Sequence, residues 1–330
     1  MSPQNPIEDT PFDAASTAEQ VAAGVDLTGK LAVVTGGHSG IGRETTRVLR
    51  ERGAHVVVPV RDPAKAAGML DGIAGVEIDR LDLADPASVD AFVRRFLASG
   101  RAVDILVASA GIMGVPLTRD ARGHESHFAT NHLGHFRLTA RLSPALARGA
   151  RVVSVSAAAH RLSPVVFDDL AFKRREYHPM LGYGQSKTAN ILFALELDRL
   201  GVQAFSVHPG SIVDTNLSGW ATPETLRAMK LVDDDGKPVI DPYAGKKTVQ
   251  QGASTSVWCA VSPQLADVGG VYCLDNNIAP VAPERDHDAS RHGTGEVPPA
   301  GVSPHAIDPA AAARLWSVSE ELTGVSFPAR

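Results

Sequence analysis

Tyr183 and Lys187 stand four residues apart in Tyr183-Gly184-Gln185-Ser186-Lys187, a spacing that puts a phenol and an ammonium on one face of a helix. A free phenol titrates near ~10 and exchanges protons poorly at neutral pH. A fixed cation beside it favours the phenolate and lowers that value. Such a pair suits general acid–base work on a carbonyl or an alcohol. Alone, the spacing is equally that of an ordinary surface pair, so its meaning depends on what else the chain carries.

A second constellation lies upstream. Leu31-Ala32-Val33-Val34-Thr35 is a short apolar run broken by Gly36-Gly37-His38-Ser39-Gly40-Ile41-Gly42. Ile41, Thr45, Val48 and Leu49 then recur on one helical face, with charged residues filling the rest. Strand, glycine loop and helix in that order bind phosphate: helix-start amides point at the anion, and glycines let the backbone approach it. The flanking strand and helix are the context this motif requires. A second strand, 54–60, ends at Arg61. An acidic residue there would hold the ribose hydroxyls of NAD, whereas an arginine suits a 2′-phosphate. The plainer alternative for Arg61 is a solvated charge at a strand end. A third strand, 76–81, ends at Asp82-Leu83, where the carboxylate is placed to accept an adenine amino group. The fourth, 103–107, runs into Ala108-Ser109-Ala110-Gly111, small residues against which a cofactor can lie.

Thr35-Gly36-x-x-x-Gly40-x-Gly42, Asn131-His132-Leu133-Gly134 and Tyr183-x-x-x-Lys187 together resemble the short-chain dehydrogenase/reductase family. Asn131-His132-Leu133-Gly134-His135-Phe136 and residues 183–190 are similar to its retinol-dehydrogenase-like, often bacterial, NADP-preferring branch. The resemblance spans residues 15 to 325 and implies roles. Tyr183 would be the general acid–base. Lys187 would hold the nicotinamide ribose and depress the phenol's pKa. Asn131 would position a water linking Lys187 to solvent. Gly36, Ser39, Gly40, Ile41 and Gly42 would cradle the pyrophosphate of NADP(H), with Arg61 at its 2′-phosphate. Asp82 and Leu83 would border adenine, Ala110 and Gly111 the ribose, and Pro209, Gly210 and Ile212 the nicotinamide.

Three positions depart from the family pattern. The second of two serines after the fifth strand donates to the substrate oxygen in relatives; that position is Ala157 here. Ser156 sits one place earlier, and adjacent strand residues point to opposite faces. Loss of one such donor costs on the order of 10²–10³ in rate. The usual Asn-Asn-Ala-Gly is Ala108-Ser109-Ala110-Gly111, which bears on local stability more than on chemistry. The family's threonine after Pro209-Gly210 aligns with Asp214, with Thr215 next to it. A carboxylate near a pyrophosphate is unfavourable.

Stepping outward, strand and helix patterns alternate from residue 30 to about 275 of 330. That alternation predicts a single α/β domain, a Rossmann-type doubly wound parallel sheet. Residues 1–28 read as a flexible arm and a short helix opened by a Ser16/Glu19 capping box. Residues 29–278 form the catalytic domain, and 279–330 a C-terminal extension whose 279–308 part is a surface arm. A helix over 124–146 would carry Asn131. In 160–181, Phe167, Leu170, Phe172, Tyr177, Met180 and Leu181 are candidates for a substrate wall or for ordinary loop packing. Residues 211–246 follow a strand's carboxyl end and read as a substrate lid. Its Trp220, Leu226, Met229 and Leu231 would face inward, favouring an apolar substrate.

A net charge of −5 argues against nucleic acid and acidic membranes as partners. No run reaches the ~20 apolar residues of a membrane span, and the first residues lack the pattern of a signal peptide. Cys259 and Cys273 lie in apolar segments and read as buried thiols in a reducing cytoplasm. No metal is expected: Asp233-Asp234-Asp235 reads as a solvated turn, and His287, His292 and His305 have no ligand spacing. The resemblance implies a homodimer or homotetramer acting on a small molecule. The expected function is NADP(H)-dependent hydride transfer between nicotinamide and a carbonyl or secondary alcohol. The alternative, raised by Ala157, is a protein that keeps the fold without net redox turnover: an epimerase, a cyclase or a cofactor-binding regulator.

Overall fold

The computed structural model describes residues 4–215, 217, 219, 221–283 and 301–328. The apolar runs become β1 (Leu31–Thr35), β2 (His55–Val60), β3 (Val76–Arg80), β4 (Val103–Ala108), β5 (Leu146–Val155), β6 (Ala204–His208), β7 (Val271–Leu274) and a short β8 (Asn277–Ile278). Their order in the sheet is β3-β2-β1-β4-β5-β6-β7-β8. All neighbours pair in parallel except β7 and β8. The expected doubly wound parallel sheet is therefore present. The antiparallel β8 was not expected; the chain reverses at Asp275 and Asn276, both at positive φ (53° and 59°), as a two-residue hairpin turn requires.

The helices are α1 (Ala18–Val21), α2 (Gly40–Glu51), α3 (Pro63–Met69), α4 (Pro86–Ala98), α5 (Gly134–Leu142), α6 (Pro179–Arg199), α7 (Pro223–Ala228), α8 (Val249–Val261) and α9 (Pro309–Thr323). On one face of the sheet, Ala32, Val34, Val56 and Val58 pack with Val48, Leu49 and Trp258. On the other, Leu31, Val33 and Val57 pack with Phe92, Phe136, Phe193 and Trp316. Alternate residues of β1 thus feed opposite layers, which is why the whole run is apolar.

Several local expectations need correction. The helix predicted over 124–146 is divided: a wider π turn at Phe128–Leu133 precedes α5, and β5 already begins at Leu146. Pro144, which cannot continue a helix, marks the break. The capping box of α1 is built by Thr17 and Gln20, not Ser16 and Glu19. Ser16 is instead engaged with Asp13. From Gln4 onward the N-terminal arm is docked, not flexible. Gln4 donates to the carbonyls of Tyr272 (2.6 Å) and Ala279 (2.7 Å) and accepts the Tyr272 amide. Asn277 exchanges hydrogen bonds with the backbone of Ile7. Sheet-edge backbone groups near β7 and β8 need partners, and the arm supplies them.

Nor is all of 279–308 a surface arm. Val302 and Ala306 are buried with Ile191 and Tyr272. His287, His292 and Trp220 lie outside the described residues. In the lid, Leu226 and Leu231 are half-buried, but Met229 is 49% exposed, contrary to its expected inward orientation. Phe167 and Leu170 pack with α9 residues Ala312 and Leu315 in the core. Among the described residues, no helix is long and apolar enough to cross a membrane.

Candidate active site

The strand order reverses between β1 and β4, and the crevice beyond their carboxyl ends is where ligands bind in open parallel sheets. The glycine loop spans it. A Cβ on Gly36 (φ +67°) would stand 2.9 Å from the Ala110 Cα, and one on Gly42 would stand 2.3 Å from the Gly36 carbonyl oxygen. The loop is thus pressed onto the end of β4 with no room for side chains. Thr17, Asp62, Asp85, His178, Thr222, Thr248 and Asp308 each cap their helix with a side chain. Ser39, the cap of α2, does not. The first amides of α2 therefore remain for an anion, the condition a dinucleotide pyrophosphate requires. The cradle fits that group.

Its surroundings match the same ligand. Arg61, just past β2, is exposed and makes no ion pair among the described residues. His38 lies close enough that Arg61 and Lys65, together with burial as the larger cause, push its pKa down. Two cationic side chains, Arg61 and Lys65, therefore border one end of the loop beside a neutral His38. Asp82 accepts the Ala84 amide at 3.0 Å, and Leu83 is buried. A Cβ on Gly134 would lie 2.4 Å from the Leu83 carbonyl oxygen, so α5 rests directly on that wall. The missing Asn pair is compensated: the Thr35 hydroxyl accepts the amides of Ser109 (3.0 Å) and Ala110 (3.2 Å).

Tyr183 and Lys187 lie on α6, which is buried continuously from Gly182 to Leu197. Gly184 makes this possible, since a Cβ there would meet the Ala159 carbonyl at 2.5 Å. The Lys187 ammonium donates to the Val155 carbonyl at 2.9 Å and lies 5.4 Å from the centre of the Tyr183 ring. It also lies 3.7 Å from where a Cβ on Gly111 would stand. Asn131 is fully buried; its side-chain oxygen accepts the Ile112 amide (2.9 Å), and its NH₂ donates to Ser186 Oγ (3.0 Å). The structure thus brings Tyr183, Lys187, Asn131, Ala110 and Gly111 to one place. The expected depression of the phenol's pKa is not what these surroundings produce. Burial raises Tyr183 and lowers Lys187 to about 7, because a low-dielectric site disfavours either charged form.

At the departures from the family pattern, the geometry is decisive. Ser156 Oγ donates to the Lys187 carbonyl at 2.8 Å, which turns it into the helix backbone. Ala157 follows in extended conformation. Asp214 is exposed, whereas Thr215 reaches the glycine loop: its Cγ2 is 3.1 Å from where a Cβ on Gly40 would stand. The loop after Pro209 is supported from below. Ile212 packs on Gly252 beside Ile41, and the Lys247 side chain lies beneath Gly210. Lys247 pairs with Asp275 at 2.5 Å.

Sequence reasoning missed Lys247 and a buried polar knot beside Tyr183. In that knot His127 Nδ1 donates to Glu125 Oε1 (2.7 Å), and the Tyr177 hydroxyl donates to the Val115 carbonyl (3.0 Å). The His127 ring meets Tyr183 edge-on at 6.0 Å. Burial alone would raise the Glu125 carboxyl, but hydrogen bonds from His127 and two backbone amides hold it low. No periodicity links these residues; three separate segments, after β4, before α5 and before α6, bring them together. Cys259 and Cys273 are buried free thiols. Among the described residues, no cluster of three or more His, Cys, Asp or Glu side chains is arranged to hold a metal.

Comparison with known proteins places this geometry in context. The profile of a family described as short chain dehydrogenase matches residues 30–168. The chain is 43% identical over 303 residues to a "Probable oxidoreductase" of Streptomyces lividans, covering 88% of this chain and 97% of that protein. It is 35% identical to retinol dehydrogenase 12 of Homo sapiens, covering 92% and 89% of the two chains. In fold it is similar to a short chain dehydrogenase from Burkholderia cenocepacia J2315 crystallised in complex with NADP. That likeness has a TM-score of 0.59 at 24% identity and covers 75% of this chain and 96% of that one.

Proposed function

We infer the reaction from one premise: the chain belongs to the short-chain dehydrogenase/reductase family and is an oxidoreductase. On that premise we propose that it reduces the carbonyl of an apolar ketone or aldehyde, or oxidises the corresponding secondary or primary alcohol, with NADP(H), in the cytoplasm. The observation that carries this reading is the convergence on the end of β4, where the glycine cradle meets Ala110 and the Lys187 ammonium approaches the adjoining Gly111. When bound, the nicotinamide supplies or takes the hydride.

The chain's own residues do the rest. Gly36, Ser39, Gly40, Ile41 and Gly42 hold the pyrophosphate, joined by Thr215. Asp82 and Leu83 border the adenine, Ala110 and Gly111 the ribose, and Pro209, Gly210 and Ile212 the nicotinamide. Tyr183 passes its phenolic proton to the substrate oxygen during reduction. Lys187, brought to about 7 by burial, exchanges protons near neutrality and restores that proton, with Asn131 as the exit toward water. The half-buried Leu226 and Leu231 of the lid support an apolar substrate. Retinol dehydrogenase 12, named for an apolar alcohol, points the same way.

The cofactor preference rests on Arg61. Arg61→Ala is expected to weaken NADPH binding about 10- to 100-fold, the worth of a charge-assisted phosphate hydrogen bond, and to leave NADH binding nearly unchanged. Fluorescence titration of both cofactors checks this; equal losses would assign Arg61 a structural role.

The reaction is tested by incubating the protein with NADPH and a panel of aromatic and aliphatic ketones while following absorbance. The second reading, a fold without net redox turnover, is favoured by Ala157 and by the inward turn of Ser156. Ala157→Ser separates the two. Under hydride transfer it returns a donor beside Tyr183 and raises kcat by about 10-fold or more. A cofactor that binds but is never consumed, by parent or variant, favours the second reading.

A further inference from the structure

A line of buried polar groups crosses the molecule from the glycine loop to α6. It begins at Thr35, whose hydroxyl oxygen anchors the amides of Ser109 and Ala110. His135 Nε2 lies 2.9 Å from that oxygen, and His135 Nδ1 lies 2.9 Å from the Asn131 carbonyl. The Asn131 side chain then donates to Ser186, which itself donates to the Tyr183 carbonyl at 2.7 Å. Thr35, His135, Asn131 and Ser186 are all at most 3% exposed.

The chemistry of the partners settles the state of the ring. A backbone carbonyl only accepts, so Nδ1 must carry the proton. Nε2 is then an acceptor, and the Thr35 hydroxyl donates to it at 2.9 Å in preference to the Val107 carbonyl at 3.4 Å. A neutral imidazole thus bridges a strand end to a helix start with one donor and one acceptor. The start of α5 has little freedom otherwise, because Gly134 is pressed on the Leu83 carbonyl.

We propose that His135 is a positioning residue that ties the cofactor loop to the Tyr183/Lys187 helix through Asn131 and Ser186. It touches none of the reacting groups, and it was not among the residues expected from the sequence. The inference rests on the function proposed above, and the experiment keeps the two apart.

His135→Leu removes both ends of the bridge. His135→Asn places an amide nitrogen where Nδ1 stands and keeps the Asn131 bond. His135→Gln reaches toward Thr35 and loses the Asn131 bond. Small misplacements of a reacting pair cost up to ~10²-fold. The Leu and Gln variants are expected to lose about 10-fold or more in kcat, with the NADPH Kd within about threefold. The Asn variant, which keeps the Asn131 end and gives up Thr35, should lie between the Gln variant and the parent. Equal rates in all three, or losses that follow only melting temperature, would overturn the proposal. Should the Leu variant not fold, the Asn and Gln pair decides.

NMR of the protein alone gives a readout independent of turnover. The His135 ring should carry its proton on Nδ1, and amide shifts of residues 183–187 should move in the Gln variant and return in the Asn variant. A proton on Nε2, or unmoved shifts, would refute the bridge. A parent that consumes no NADPH would end the reaction reading, while these spectra still decide the bridge.

Discussion

Tyr183→Phe is expected to bind NADPH as the parent does and to reduce ketones about 10³-fold more slowly. Removing the hydroxyl takes away one oxygen and leaves the ring, so the packing of α6 is conserved. General acid–base groups contribute about 10²–10⁴ in rate. The neighbouring strand end offers no substitute: Ser156 is spent on the Lys187 carbonyl, and position 157 has no hydroxyl. An enzyme with the family's serine would retain a second donor at the substrate oxygen; this one is expected to depend on the phenol alone. Steady-state kinetics and a fluorescence titration of NADPH test it. A variant that retains even a tenth of parental kcat would remove Tyr183 from the chemistry and, with it, the proposed reaction.

Below neutral pH the fold itself is expected to weaken steeply. Four histidines, His132, His135, His160 and His208, are held in neutral form by burial. His132 gives its Nε2 proton to Ser319, which already donates to Leu315, and leaves Nδ1 bare and buried. His135 bridges Asn131 and Thr35. His160 donates from Nδ1 to the Ala157 carbonyl and accepts the Ser303 amide on Nε2. A second proton would meet no acceptor in the first case and a facing N–H in the last. Burial accordingly pushes His132, His160 and His208 down to about 3 and His135 to about 4.

In the unfolded chain these rings titrate near ~6.5. Between that value and the folded values the unfolded state binds more protons, so stability falls as pH falls. Each ring contributes up to about 1.4 kcal/mol per pH unit in that window and nothing above it. Four together predict a loss of roughly 5 kcal/mol per unit between pH 6 and 5. That window lies above the pH at which carboxylates such as Glu125 and Asp90, both held low, begin to contribute. Urea melts at pH 7.5, 6.5, 5.5 and 5.0 measure the slope. His132→Leu should remove about a quarter of it; a stability flat from pH 7 to 5 would contradict the assigned neutral states.

The legible parts of this chain were those governed by neighbours in sequence. A β-branched run buried on both faces is a strand whatever it pairs with, and the glycine loop between such a run and an amphipathic helix is recognisable because only glycine tolerates that backbone. The start of α9 at Asp308-Pro309, and its end at Gly324 in the left-handed region, follow from local rules as well. So does the one-face pairing of Tyr183 with Lys187.

What the tertiary structure decided depends on contacts between distant segments. Thr215, not Asp214, reaches the glycine loop because of how the chain leaves β6. Ser156 is turned toward α6 because its hydroxyl finds the Lys187 carbonyl, 31 residues away in sequence. The docked N-terminal arm, the buried strap at Val302 and the Thr35–His135–Asn131 line join groups whose separation in the chain carries no pattern. The protonation of Tyr183 and Lys187 belongs here too. Their spacing suggested a phenol eased toward ionisation, but burial, which no spacing reports, pushes both toward their neutral forms.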